Sequence, residues 1–405
     1  MDGVLPKESY PFEIPDHWKW YPLGKIVEYG KCTQIGSGEI SETTWVLDLE
    51  DIEKGTGRLV NKKRGTLTTS NKAKFCKGDV LYGKLRPYLN KVLIADEDGV
   101  CTTEIVPISV VTAKLPLLAE YLQSYLMSPF FLDYANKISY GVKMPRLGTK
   151  DAKAALIPVP PVEEQARIVA KLEEAFSEID RAEKAYEELQ TLAGVLRGQI
   201  LQEAIQGKLV PQLAEEGVVE QIGAASEEVP FEIPESWRWV TLASVGKTHT
   251  GATPSTSKKE YFGSDIPFVK PGDIDHCLLT YREDGLSTAA YEVARLVPEK
   301  SLLMVCIGGS IGKVALCDRE VSFNQQINAI VCNEELALPE YLFVIMRSPY
   351  FQDEVWRNAT GTATPIINKS RWGKIWIPLP STKEQVRIVA KVEDLMKQVD
   401  ALSTR

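Results

Sequence analysis

Apolar residues between positions 168 and 200 recur at alternating spacings of four and three: Ile168, Leu172, Ala175, Ile179, Ala182, Tyr186, Leu189, Ala193, Leu196 and Ile200. Glu, Lys, Arg and Gln fill most positions between them. This a/d heptad pattern predicts one long helix with a single narrow apolar seam. No proline falls between Pro161 and Pro211, and Gly207 followed by Pro211 supplies the stop. Gly194 and Gly198 weaken the distal end, at about 1 kcal/mol each relative to alanine. The seam returns 220 residues later as Ile388, Val392, Leu395, Val399 and Leu402, and Ser381 with Glu384, or Thr382 with Gln385, can make a capping box at its start. A narrow seam needs a partner, and each helix is the obvious partner of the other, running antiparallel if a pseudo-twofold axis relates them. A helix lying on its own domain needs a wider stripe. About 40 residues span on the order of 60 Å at 1.5 Å per residue. The second helix meets Arg405 early whereas the first continues to about Gly207, so the distal half of the first is expected to lack a partner within this chain.

The seam is one part of a longer internal repeat. PFEIPDHWKW (11–20) is rewritten as PFEIPESWRW (230–239), with seven of ten positions identical. IPVPPVEEQARIVAKLE (157–173) answers IPLPSTKEQVRIVAKVE (377–393) at eleven of seventeen positions, and SPFF (128–131) answers SPYF (348–351). Repetition of this length predicts two copies of one unit. The domains read as 1–161, a long helix 162–207, an acidic connector 208–229, a second domain 230–380 and a C-terminal helix 381–405. Within the globular parts, short β-type runs (VLYGKL, NKVLIA, TEIVPISVV; LLMVCIG, KVALC, NAIVC) mix with helical stretches (PLLAEYLQSYLMS, LPEYLFVIMRS), which predicts α+β or mixed α/β units with glycine-rich turns. Trp18/Trp20 and Trp237/Trp239 are expected to anchor each unit to its helix as buried aromatics.

Length and composition agree with two soluble globular domains: 405 residues, 44% hydrophobic and 25% charged. There is no long apolar run, and MDGVLPKESYPFEIP has neither the basic start nor the apolar stretch of a signal peptide, which points to the cytoplasm and no membrane. Seven cysteines without a CxxC pair suit reduced thiols. The formal net charge of -8 argues weakly against a protein that coats nucleic acid, but charge is uneven. Between Lys54 and Lys91 eleven cations face the single acid Asp79, a field of the kind that steers a polyanion; a solvated face is the plainer reading.

No catalytic constellation emerges. GGSIGK (308–313) has the wrong glycine spacing for a phosphate loop and reads as a strand-to-strand turn. His17, His249 and His276 stand apart with no ligand pair at zinc spacing, and neither GxSxG nor GxGxxG occurs. The Asn-Pro-Pro-aromatic signature of amino-methyltransferases is also absent. What remains are donor-rich segments between the shared borders. YGKLRPYLNK (82–91) offers Lys84, Arg86, Tyr88, Asn90 and Lys91, a mixture suited to phosphate contact and base-edge reading. The second copy offers Ser255, Lys258, Lys259, Lys270, Lys313, Asn324, Gln325 and Gln326, the amides being able to pair with adenine or to cap strands.

Together, PFEIPxxWxW, KLRPYLNKV, TPSTSKKEYFGSDIPFVKPGDI, GGSIGKVAL, NQQINAI and IPxPxxxEQxRIVAKxE resemble the specificity (S) subunit of type I DNA restriction-modification systems, over essentially the whole chain. The resemblance implies two target-recognition domains reading the halves of a split DNA sequence, separated by conserved helices in an antiparallel coiled coil. It implies a chain that is not itself an enzyme and binds no cofactor. Two methyltransferase subunits would dock on the helices, carrying S-adenosylmethionine and adenine N6 methylation, and restriction subunits can join to cleave. The helix interface would include Ile168, Leu172, Ile179, Tyr186, Leu189, Leu196, Ile388, Val392, Leu395 and Val399. From another class, a coiled-coil scaffold without DNA readout is the alternative.

Overall fold

A computed structural model describes residues 4–65, 70–223, 229–361 and 363–403. The chain forms two compact units, Met1–Ala182 and Glu183–Arg405. Their boundary falls inside the long helix rather than at its ends. Both units mix short strands with helices, as the alternation of β-type runs and helical stretches leads one to expect.

Unit 1 opens on strand β1 (Lys19–Pro22), carries β2 (Val80–Gly83), β3 (Val92–Ile94) and β4 (Ile105–Ile108), and closes on β5 (Leu156–Val159). Helices α1 (Ala119–Met127) and α2 (Pro129–Ile138) lie between β4 and β5. β1 pairs antiparallel with β5, with Lys19 opposite Val159 and Pro22 opposite Leu156. The repeated opening phrase therefore hydrogen-bonds to the repeated closing phrase. The central sheet has the order β3-β2-β4, and a separate five-stranded sheet flanks it in the first hundred residues. β2 and β4 are buried along their whole length, which is why VLYG and IVPI read as continuous apolar runs rather than alternating ones. Serine and proline start α2: Ser128 Oγ accepts from Phe131 N at 3.3 Å, and Pro129 takes the first helical position.

Helix α3 (Val162–Ile205) is continuous for 44 residues. It stops where the glycine demands: Lys208 N returns to Glu203 O at 3.0 Å around Gly207 at φ +70°, and a Cβ at that position would lie 2.5 Å from Pro234.

Unit 2 repeats the plan with β6 (Arg238–Thr241), β7 (Gly246–Thr250), β8 (Leu302–Val305), β9 (Val314–Leu316), β10 (Ile327–Cys332) and β11 (Trp376–Leu379). Its helices include α4 (Pro339–Arg347), α5 (Pro349–Asn358) and α6 (Thr382–Ser403). β6 pairs with β11 as β1 does with β5, and the central sheet has the order β7-β10-β8-β9. Ser348 caps α5 through Phe351 N at 3.3 Å, the counterpart of Ser128.

One expectation changes: the distal part of α3 does have a partner within the chain. Ala193, Ile200, Leu201, Ala204 and Ile205 share one core with Ile388, Val392 and Val399 of α6. The helices run antiparallel, since Arg197 reaches Asp400 Oδ1 at 2.7 Å while Arg387, near the start of α6, holds Glu216 at 2.6 Å beyond the end of α3. Burying Ile200, Leu201 and Ile205 contributes roughly 1.5–3 kcal/mol each. The seam drifts as it proceeds: Leu196 is 38% exposed and Arg197 takes the facing place. Such drift is what a 3.6-residue helix does to a 3.5-residue pattern. The open stretch is instead the middle of α3, where Phe176, Ile179 and Tyr186 are 60, 51 and 58% exposed. Ile168, Leu172, Leu189 and Leu395 are half-buried.

The acidic connector is packed onto unit 2. Leu209, Val210, Val219 and Ile222 pack against the core of unit 2, and Val219 N donates to Ser236 O at 2.9 Å. Its apolar residues override the charge of its acids. Residues 224–228 of the connector and the last two of the C-terminal helix lie outside the described residues.

Candidate nucleic-acid interface

The shared borders are a frame. Trp18 Nε1 donates to Glu164 Oε2 at 3.0 Å, and Trp237 Nε1 donates to Glu384 Oε2 at 2.9 Å. Trp20 packs edge-on against Phe12 at 4.9 Å, as Trp239 does against Phe231 at 4.9 Å. The neighbouring glutamine clasps the loop ahead of α1 or α4: Gln165 Oε1 accepts from Leu118 N and Gln385 Oε1 from Leu338 N, at 2.9 and 2.8 Å. The Glu-Gln pair of EQxRIVAKxE thus ties strand, loop and helix together in both units. At the start of α6, Ser381 Oγ accepts from Glu384 N, while the Glu384 carboxylate faces Trp237 and Gln212 instead of completing a capping box.

Between the borders the two units present equivalent turns. In unit 1, Lys84 N donates to Glu104 O (3.0 Å), Arg86 N to Pro145 O (2.7 Å) and Leu147 N to Lys84 O (3.0 Å). In unit 2, Cys306 N donates to Gln326 O (2.7 Å), Gly308 N to Pro365 O (2.9 Å) and Ile367 N to Cys306 O (2.9 Å). KLRPYLNK and the GGSIGK turn therefore occupy one place in the fold, the latter joining β8 to β9. Arg86 and Asn90 adopt left-handed backbone at φ 52° and 47°, where unit 2 has Gly308 and Gly312 at φ 96° and 93°. Asparagine tolerates this region; arginine is strained there, at a cost of order 1 kcal/mol or more.

The same turns meet a hairpin in each unit. Tyr140 N and Arg146 O lie 3.1 Å apart, Arg146 N and Tyr140 O 2.9 Å; Thr360 and Ile366 exchange the same pair at 2.9 and 2.8 Å. Arg146 Nη2 and Nε donate to the Glu104 carboxylate at 3.0 and 3.1 Å. No periodic pattern marks this hairpin in the sequence, although Gly141/Gly361 and Pro145/Pro365 stand 220 residues apart within it.

Fold assigns different work to the candidate residues. In unit 1, Asn90 Nδ2 donates to Met127 O (2.9 Å) and Lys91 Nζ to Leu49 O (2.7 Å), so both fasten the turn to its own unit. Tyr88 is exposed, the Lys84 ammonium makes no ion pair among the described residues, and Arg86 Nε is buried without a partner among them. In unit 2, Lys313 Nζ donates to Ile274 O at 3.0 Å, the counterpart of Lys91. Asn324 and Gln326 bond to each other, and Gln325 Oε1 accepts from Thr253 at 2.7 Å. Ser255 bonds Ser257 at 2.8 Å, Lys258 donates to Tyr261 OH at 3.1 Å, and Lys270 lies 3.4 Å from Asp284. Lys259 is exposed and unpaired among the described residues. Lys84, Arg86, Tyr88 and Lys91 gather on one turn, and Lys313, Asn324, Gln325 and Gln326 gather around its counterpart. Lys258, Lys259 and Lys270 lie on other loops.

Five of the eleven cations at 54–91 are answered by acids outside the window, four of them close to it in sequence. Lys62 holds Asp96, Lys63 holds Glu50, Arg64 holds Glu97, Lys72 holds Asp48 and Arg58 holds Asp180. The Lys63 ammonium is consequently raised well above its ordinary range, chiefly by hydrogen bonds to Glu50 and Asp51. The positive field of this window contracts onto a few residues, Lys84 and Arg86 among them. Among the described residues no group of three His, Cys, Asp or Glu could hold a metal ion, and no helix is long and apolar enough to cross a membrane.

A family model described as type I restriction modification DNA specificity domain matches residues 15–191 and again 234–405. The chain is 26% identical over 371 residues to the type I restriction enzyme HindI specificity subunit of Haemophilus influenzae, covering 78% of this chain and 79% of that one. It is similar in structure to the HsdS subunit from Thermoanaerobacter tengcongensis, with TM-score 0.63 and 23% identity over 97% of this chain and 92% of that one. A chain from work on complex assembly and conformational transition of the type I R-M system gives TM-score 0.76 and 22% identity, over 97% and 94%. At these identities the two solved structures speak to the fold.

Proposed function

The chain belongs to the type I restriction-modification DNA specificity family, and from that premise we propose that its two units read the two unequal halves of a split DNA target. One observation carries this reading. The units build the same turn and hairpin from the same backbone bonds, yet carry different residues on the turn: Lys84, Arg86 and Tyr88 in one, Cys306, Gly308 and Ser310 in the other, with Gln325 and Gln326 beside it. Equal frames with unequal faces suit two recognition surfaces, since base contacts specify while the scaffold positions.

In this reading the chain catalyses nothing. Adenine methylation and S-adenosylmethionine belong to methyltransferase subunits, two per chain, and cleavage to restriction subunits where these join. The open face of α3 in unit 1 supports such docking: Phe176 and Leu172 line a groove with Met127, Pro129 and Val169. The counterparts of Leu172 and Ile179 in unit 2, Val392 and Val399, are buried.

The test is binding of duplex DNA by the complex with its methyltransferase subunits, across a series of salt concentrations. A steep fall of affinity with salt and methylated adenines at one split sequence are expected. A salt slope near zero sinks the DNA reading and favours a scaffold.

A further inference from the structure

We propose that the hairpin Tyr140–Arg146 is a specificity-determining finger whose tip, Val142, Lys143 and Met144, enters a groove of duplex DNA and touches base edges. This rests on the DNA reading above and goes beyond it, since neither the composition of the hairpin nor its periodicity marks it as a reader.

The base of the finger is fixed. Tyr140 and Arg146 exchange backbone bonds, Pro145 O accepts from Arg86 N at 2.7 Å, and the Arg146 guanidinium is locked on Glu104 at 3.0–3.2 Å. Gly141 turns the chain at φ +103°, where a Cβ would sit 3.1 Å from Met144 O. A tip held this way loses little conformational freedom on binding.

The tip contributes little to the fold. Val142 is 101% exposed and adds no apolar burial to unit 1, and Met144 is 46% exposed. Single exposed apolar residues are ordinary, and exposure alone would mean little. The second observation comes from unit 2. Its hairpin has the same pair bonds, the same glycine at φ +93° and the same bond from the turn to Pro365 O, yet Ala363 and Thr364 stand where Lys143 and Met144 do. The frame is thus indifferent to what the tip carries.

The chemistry of the tip matches what surrounds it. Arg86 shares a backbone bond with the hairpin, Lys84 bonds the residue that follows it, and Arg146 neutralises the nearest acid, Glu104. A valine and a methionine flanked by cations suit a thymine methyl beside phosphates, with Lys143 free for a guanine edge or a phosphate.

The experiment uses the complex with its methyltransferase subunits and the triple variant Val142→Thr, Lys143→Ala, Met144→Thr, alongside Val142→Ala alone. Duplexes carry the wild-type target, the target altered in one half or the other, or no target; thermal unfolding is followed in parallel. The triple variant should melt as wild type and lose about ten-fold or more of its preference for one half-site, the other half-site being read as before. Val142→Ala should lose a smaller part of the same preference. Unchanged preference at both half-sites, or equal loss at both, overturns the finger while leaving the DNA reading intact. A wild-type complex that does not prefer any duplex overturns the DNA reading first, and the finger with it.

Discussion

Trp237 Nε1 donates to Glu384 Oε2 at 2.9 Å, which ties the doubled phrase to the first turn of α6; Trp18 and Glu164 repeat the bond at 3.0 Å at the first turn of α3. The two bonds differ in their surroundings. Trp237 is buried, whereas Trp18 is half-buried and shares its carboxylate with His17, whose Nε2 lies 2.8 Å from Glu164 Oε2. Trp237→Phe strands part of a buried carboxylate and should cost about 1–3 kcal/mol. Trp18→Phe should cost less, because His17 and water remain. Urea unfolding of both variants checks this; equal losses would contradict it.

The same pair of glutamates should respond to pH in opposite directions. His17, by its hydrogen bond, holds Glu164 below its ordinary value of 4.5. Burial raises Glu384 above 4.5, against the opposing hydrogen bonds from Trp237 and Gln212. The stabilisation linked to Glu164 is therefore present above 4.5 and lost as pH falls through its depressed folded value. Glu384 binds its proton more tightly folded than unfolded, so its contribution diminishes as pH rises from 4.5 through its raised value. Carboxyl-carbon NMR titration should place the two midpoints on opposite sides of 4.5, and two midpoints on one side would refute the assignment.

On the candidate turn, binding and stability should separate. Arg86→Gly removes a side chain from a strained left-handed position, so unfolding should change by no more than about 1 kcal/mol while DNA affinity falls. Lys84→Ala should leave melting unchanged and lower the magnitude of the salt slope by about 0.9 if its ammonium meets a phosphate. Lys91→Ala should do the reverse, destabilising by about 1 kcal/mol through loss of the Leu49 carbonyl's partner. Salt-dependent binding and denaturation of all three give the check, and a pure stability effect from Lys84→Ala would remove it from the interface.

Phe176→Asp should disturb nothing inside unit 1, since the ring is 60% exposed. It should instead weaken capture of a methyltransferase subunit. Co-purification and sedimentation of the pair test the groove, and undiminished assembly would move the docking surface elsewhere.

How far the chain could be read without its structure depended on how local the cause was. The long helix was plain because heptad spacing and the absence of proline act within a few turns. The antiparallel partnership of α3 and α6 was legible in the shared seam, but the use of the distal half of α3 was not, because Arg197 and Asp400 meet across two hundred residues of sequence. The cations at 54–91 looked stronger than they are, since Glu50, Asp96 and Glu97 flank the window in sequence but meet it in space. Asn90 and Lys91 looked like readers and turn out to hold backbone carbonyls. The hairpin at Tyr140–Arg146 escaped notice because a glycine and a proline leave no periodic trace.

The clasp of β1 on β5, and of β6 on β11, brings the two ends of each unit side by side. Everything between Pro22 and Leu156, or between Thr241 and Trp376, leaves the rest of the chain through one doorway whose hinges are strand bonds, a tryptophan and a glutamate. Such a segment behaves as a cartridge. A genetic crossover in the two matching borders that kept the faces packed against the helices would exchange one whole reader for another, so a lineage could acquire a new DNA address in a single recombination.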